Sequence, residues 1–192
     1  MSGGRKLRQP LQSSINIFMK VIPLQEGRFT IDHSKQFVPV PSRQDHHGQL
    51  PGGSLLVDIQ PFVVVTDSDI LLLDTGLGFE EQGTLQLHRH LLEQGIQPDQ
   101  ITKVLLTHLH KDHAGGVCHH SRAGIRELAF PSARYYLQKQ EFMTAMSQRS
   151  SSYEQERLAC LSAHPAVVFL EGDGSIDSYI RYQLTEIGRA HV

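Results

Sequence analysis

The chain has 192 residues, within the size of one domain, and an apolar content of 39% that can support a buried core. A formal net charge of −2 at pH 7 supplies no broad basic field and argues against a nucleic-acid partner. Two cysteines, Cys118 and Cys160, are too few for a disulfide framework, and no run approaches the ~18 apolar residues of a membrane span.

The first eight residues carry Arg5, Lys6 and Arg8, with no apolar segment and small-residue cleavage site behind them. They read as a disordered lead, to about residue 14, rather than a secretory signal, and a cytoplasmic location is expected. Residues 15–24 alternate as a first strand, closed by Pro23 and Gln25-Glu26-Gly27. Residues 29–40 hold at most a short strand, because Pro39 and Pro41 interrupt it. Residues 42–53 read as a solvated polar loop; its His46-His47 pair has no carboxylate or third nitrogen in register to make a metal site. Residues 54–66 are expected to form one long strand with Pro61 at a bulge or edge, and residues 70–74 return as its hairpin partner.

Thr75-Gly76-Leu77-Gly78 lacks the Lys-Ser/Thr pair of a phosphate-binding loop and reads as a tight turn that positions Asp74. A helix is expected over residues 84–94, with Leu85, Leu87, Leu91 and Leu92 as its apolar stripe and Gly95 as its stop. His88 and His90 fall on its surface or boundary. Residues 98–101 turn, and residues 103–106 form a short buried strand.

That strand runs into Thr107-His108-Leu109-His110-Lys111-Asp112-His113-Ala114-Gly115-Gly116. His108 and His110 are two apart, so an extended backbone points both to one face, where they can grip one metal ion. Asp112 and His113 are adjacent, so the chain must turn to bring both onto a second ion. Gly115 and Gly116 are expected to give the chain the freedom to turn. Nitrogen and oxygen donors suit zinc, with iron and manganese as alternatives. Two adjacent ions can share a hydroxide poised for attack at neutral pH. Strand, helix, strand and then ligands at the strand's carboxyl end is how α/β proteins place their sites.

Beyond the motif, His119 and His120 read as exposed loop residues. Residues 133–137 read as a strand whose Tyr135 and Tyr136 fill the core. Residues 139–146 form a helix with Phe142, Met143 and Met146 at core-like spacing. Residues 147–152 are a polar loop, residues 153–163 a further helix, and residues 166–170 and 179–184 the last strands. No internal repeat and no linker divides the chain.

HxHxDH behind a hydrophobic strand, with Ile70-Leu71-Leu72-Leu73-Asp74-Thr75-Gly76 upstream, resembles the metallo-β-lactamase superfamily of metal-dependent hydrolases over most of the chain from about residue 15. The resemblance implies an α/β (α+β) class, an αββα sandwich of which residues 15–185 hold the first half and the beginning of the second. It implies His108 and His110 on a first Zn2+, Asp112 and His113 on a second, and Asp74 in the outer shell steadying the metal loop. The implied activity is hydrolysis of an ester, lactone, thioester or amide bond in a small-molecule substrate by a zinc-activated hydroxide, with Asp112 also orienting that hydroxide. An RNA-processing nuclease of the same fold, a non-haem iron oxidoreductase of dioxygenase type and a non-catalytic metal-binding domain compete with this reading. His110 stands where the diiron flavoprotein branch would carry Glu, which disfavours that branch.

The family's third His, bridging Asp and final His have no match here: a rough alignment puts Gly188 where a His is wanted, and His191 is displaced. Residues 186–192 match the translation of a common sequencing adapter and are expected to be non-native read-through. Two ligands per ion fall short of the three usual at a catalytic zinc, so the chain is expected to bind metal weakly and hydrolyse little. Lacking later strands over its sheet, it is also expected to be poorly soluble.

Overall fold

A computed structural model describes residues 18–40, 53–120 and 124–185. The expected lead, the start of the first strand, the His46-His47 loop and the segment with Gly188 and His191 lie outside the described residues.

The chain first makes β1 (Met19–Pro23), β2 (Gly27–Ile31), β3 (Val38–Pro39), β4 (Leu55–Ile59), β5 (Phe62–Thr66) and β6 (Ile70–Leu73). A small hairpin, β7 (Glu80–Glu81) and β8 (Thr84–Leu85), leads into α1 (Gln86–Glu93). Then come β9 (Lys103–Leu105), the one-turn α2 (Lys111–Ala114), and the hairpin β10 (Cys118–His120) and β11 (Arg126–Leu128). The remainder is β12 (Arg134–Gln138), α3 (Lys139–Ser147), α4 (Gln155–Leu158), β13 (Val167–Leu170), β14 (Gly174–Ser175) and β15 (Arg181–Tyr182).

The architecture is mixed α/β. Among the described residues the main sheet has six strands in the order β1-β5-β6-β9-β12-β13. β1, β5 and β6 are antiparallel neighbours, whereas β6, β9, β12 and β13 run parallel. Strand alternation sets one face: Val63, Leu72, Val104 and Tyr135 lie in one row across the sheet and are all fully buried. Leu87 and Leu91 of α1, Ala145 of α3 and Leu158 of α4 pack into the same cluster, so the helices share that face.

Several expectations need correction. Residues 54–66 are two strands in two sheets: β4 joins β3 and β2, and β5 joins the main sheet. The break falls at Gln60-Pro61, where Pro61 has no N–H for a ladder and its carbonyl accepts the Leu24 N–H at 2.8 Å. Glu26 N–H donates to Ile59 O at 2.9 Å, so residues 24–26 change sheets beside residues 59–61. Leu92 is 45% exposed and Met143 62% exposed; neither belongs to its helix's buried stripe. The helix expected over 153–163 is α4 followed by a 3-10 turn, Ala159–Leu161. The last strand shrinks to β15, which pairs with β14 rather than the main sheet. His119 and His120 sit in β10, not in a loop.

Candidate metal centre

Two adjacent parallel strands end side by side and supply the site. Leu73 of β6 is in register with Leu105 of β9, and the next residue, Asp74, donates its N–H to Leu105 O at 3.0 Å. Side chains leaving both strands therefore start next to each other at the carboxyl end of the sheet. Asp74 has φ 60°, a left-handed conformation that aspartate tolerates better than bulkier residues. This turns its carboxylate over the loop after β9. Oδ1 accepts the Thr107 N–H at 2.8 Å, and Oδ2 lies 2.8 Å from His113 Nδ1. The Thr107 hydroxyl lies 3.0 and 2.9 Å from the two Asp74 oxygens and 3.1 Å from His108 Nδ1.

The extended stretch before α2 puts His108 and His110 on one side and buries Leu109 between them, whose N–H donates to Glu141 Oε1 at 3.1 Å. His110 caps α2: its carbonyl accepts the N–H groups of His113 and Ala114, both at 2.9 Å. That single turn swings Asp112 and His113 round toward His108. The His108 ring centre lies 4.7 Å from that of His110 and 4.0 Å from that of His113, and Asp112 Oδ2 is 3.6 Å from His113 Nε2. The Tyr153 ring packs on His110 at 5.1 Å, and its hydroxyl lies 3.4 Å from Glu141 Oε1.

The backbone locks α2 to the Asp74 turn. Thr75 N–H donates to His113 O at 2.6 Å, and Gly115 N–H to Gly76 O at 2.8 Å. Gly115 corrects the sequence reading. Its φ is −63°, ordinary helical backbone, so it provides no unusual turn. A Cβ there would overlap Leu77 O, so glycine is required for close approach of the two loops.

Electrostatics differ among the three imidazoles. Burial depresses the pKa of His108, with His113 and His110 adding to the effect. Burial likewise depresses His110 despite Asp112 and Glu141 nearby. Burial also opposes a charge on His113, but the hydrogen bond and charge of Asp74, with Asp112, outweigh it and raise the pKa. The donors are nitrogen and oxygen, the set that suits zinc, iron or manganese. The Asp74 carboxylate on His113 Nδ1 leaves Nε2 as the ring nitrogen that could hold a metal ion, as carboxylate partners do at zinc-bound histidines. The four motif residues touch in pairs; among the described residues no three His, Cys, Asp or Glu form a closed metal-holding group.

The other histidines have other surroundings. His88 is half-buried, a boundary residue: Nε2 lies 3.0 Å from Ala129 O, and its ring packs against Phe130 and His119. Burial pushes its pKa down to about 4, with His119 adding. The Cys118 thiol faces Arg157 O at 3.2 Å. A cleft of about 690 Å³ shares Tyr153 with the site and is lined also by Arg126, Arg149 and Arg157, but by none of the four motif residues. Thr107, Glu141 and Tyr153 were not singled out from the sequence. Thr107 is betrayed only by its place beside His108; Glu141 and Tyr153 come from distant segments that carry no local signal.

A family model described as the metallo-beta-lactamase superfamily matches residues 55–175. Thioesterase pkgB of Emericella nidulans is 41% identical over 70 residues, 36% of this chain and 19% of that protein. An atrochrysone carboxyl ACP thioesterase of Pseudocercospora fijiensis is also 41% identical over 70 residues, 36% of this chain and 20% of its own length. The chain thus spans about a fifth of the curated relatives it matches. Among solved structures, a probable metal-dependent hydrolase from Staphylococcus aureus is similar at a TM-score of 0.60 and 18% identity, covering 83% of this chain and 61% of that one. AidC, a dizinc quorum-quenching lactonase, is similar at a TM-score of 0.56 and 21% identity, covering 79% and 58%. At these identities the likeness is one of fold.

Proposed function

Because this chain belongs to the metallo-beta-lactamase superfamily, we propose that its His108–His113 turn forms part of a two-zinc centre that hydrolyses an acyl bond in a small molecule, a thioester or lactone before other esters and amides. The observation that carries this reading is the bond from Asp74 to His113 Nδ1, 2.8 Å long, with the His108 ring 4.0 Å from that of His113. Asp74 holds a proton at Nδ1 and so commits Nε2 to ligation. Burial favours the neutral, ligating form of His108 and His110 at neutral pH. We assign His108 and His110 to one ion, and Asp112 and His113 to the other, with Asp112 also orienting the attacking water. Metal ions bound there supply Lewis acidity to the substrate carbonyl and acidify water. Iron or manganese in the same donor set would keep these residue roles. The thioesterase relatives and the lactonase fold neighbours support the choice of acyl bonds.

Zinc titration into the metal-free chain, followed calorimetrically, tests the assignment. His108→Ala and His113→Ala are each expected to weaken binding about 10- to 100-fold, on the scale of losing a metal contact. Zinc binding unchanged in both variants would overturn it. Acyl-CoA thioesters and N-acyl homoserine lactones, assayed with the zinc-loaded protein, then rank the substrate classes.

A further inference from the structure

Among the described residues the buried polar side chains are Glu26, 3% exposed, and Thr75, fully buried. Both act at one junction, where the turn after β6 meets α2. The Thr75 hydroxyl lies 3.1 Å from His113 O. Glu26, from the crossing between β1 and β2, accepts the Leu77 N–H at 2.7 Å and the Gly78 N–H at 3.2 Å. From the other side Arg157 Nη1 donates to Gly78 O at 3.0 Å and to Gly115 O at 2.7 Å. Gly78 is thus held by a carboxylate at its N–H and by a guanidinium at its carbonyl. The same guanidinium reaches the end of α2, two residues beyond His113.

The turn is built to admit both charges. Gly76 and Gly78 have φ of 66° and 68°, the left-handed region. A Cβ at Gly76 would overlap Glu26 Oε2, and a Cβ at Gly78 would overlap Gly115 O and crowd Arg157 Nη1. An isolated carboxylate is a costly group to bury, and it is retained here by bonds to backbone N–H groups and by the charge of Arg157. Arg157 is itself steadied by Glu154 at 2.6 Å.

We propose that Glu26 and Arg157 are positioning residues, a two-sided brace that fixes the Asp74–Gly78 turn against α2 and so sets the distance between Asp74 and His113. Its consequence for metal binding rests on the two-zinc reading above; the brace itself does not.

The test uses Glu26→Gln and Arg157→Ala in the full chain, with Leu91→Ala as a control that removes a buried core side chain on α1, away from Glu26 and Arg157. Amide hydrogen exchange reads the junction directly at the N–H groups of Thr75 and Gly115. Both brace variants are expected to speed exchange at these two sites selectively, while the control speeds exchange only in step with its global stability. Titration with Co2+ alone is expected to show affinity lowered about 10-fold in both brace variants and unchanged in the control. Unaltered exchange at Thr75 and Gly115 in both brace variants would overturn the proposal. A wild-type chain that takes up no Co2+ would overturn the metal reading and leave the exchange comparison to decide the brace.

Discussion

Burial pushes the Glu26 carboxyl from 4.5 up to about 7, against the pull of the Leu77, Gly78 and Phe79 N–H groups and of Arg157. The folded chain holds this proton more tightly than the unfolded chain does. Its contribution to stability is therefore fully present below about pH 4.5 and is lost as pH rises to about 7. The difference between the two values corresponds to on the order of 3 kcal/mol. Denaturant unfolding from pH 4.5 to 8 should show Glu26→Gln gaining on the wild type across this window and then running parallel to it. A gap between the two proteins that does not vary with pH would refute the assignment. No feature of the sequence pointed to Glu26. Gln25-Glu26-Gly27 has the composition of an exposed turn, and only its crossing beside residues 59–61 makes it buried. The histidines were legible for the opposite reason: their spacing is local, and a strand followed by one helical turn is enough to gather them.

The turn after β6 and the helix α2 behave as one element although more than thirty residues separate them. Their interlock depends on backbone approach, so it can be broken by a single methyl group. In Gly115→Ala the new Cβ would overlap Leu77 O and crowd Lys111 O, both backbone atoms that cannot swing aside. The expected cost is about 1–3 kcal/mol of stability, accompanied by loss of zinc affinity because Thr75 and Asp74 are pushed from His113. Thermal unfolding and zinc titration of this variant check both effects; a stable variant with wild-type affinity would show that the two loops move independently. At this scale the apolar pattern identified β6, β9, β12 and the Leu87–Leu91 stripe of α1, because each buries a face set by its own period. It joined β4 and β5 into one strand because a change of sheet is decided by a neighbour. Residues 24–26 cross there, and periodicity carries no record of that contact. Leu92 and Met143 fit the core spacing of their helices, yet they are 45% and 62% exposed, because spacing does not record which face a neighbouring element covers.

At the scale of the molecule, exposed apolar side chains line the β1 margin of the main sheet among the described residues. β1 pairs with β5 alone among the described residues, and its free side carries little that would deter a second strand. Met19 and Val21 are 65% and 52% exposed, and Phe18 just before them is 60% exposed. Lys20 and Pro23 are the only edge-blunting residues in β1. Phe62, opposite Pro23 on β5, is 38% exposed and extends the patch. A strand with open hydrogen-bonding groups and exposed apolar side chains is a template for pairing with another copy. The 192-residue chain is therefore expected to self-associate at micromolar concentrations, seen as a concentration-dependent mass in size-exclusion chromatography with light scattering. Val21→Lys should suppress that association, because a charge on the pairing surface opposes a second strand. The same substitution should leave the unfolding midpoint nearly unchanged, since Val21 is half exposed and buries little in the folded chain. If the wild-type chain runs as a monomer at every concentration, the edge of β1 is not the source of association. A substantially lowered midpoint in Val21→Lys would show that Val21 is packed in the folded chain and would refute an open β1 edge.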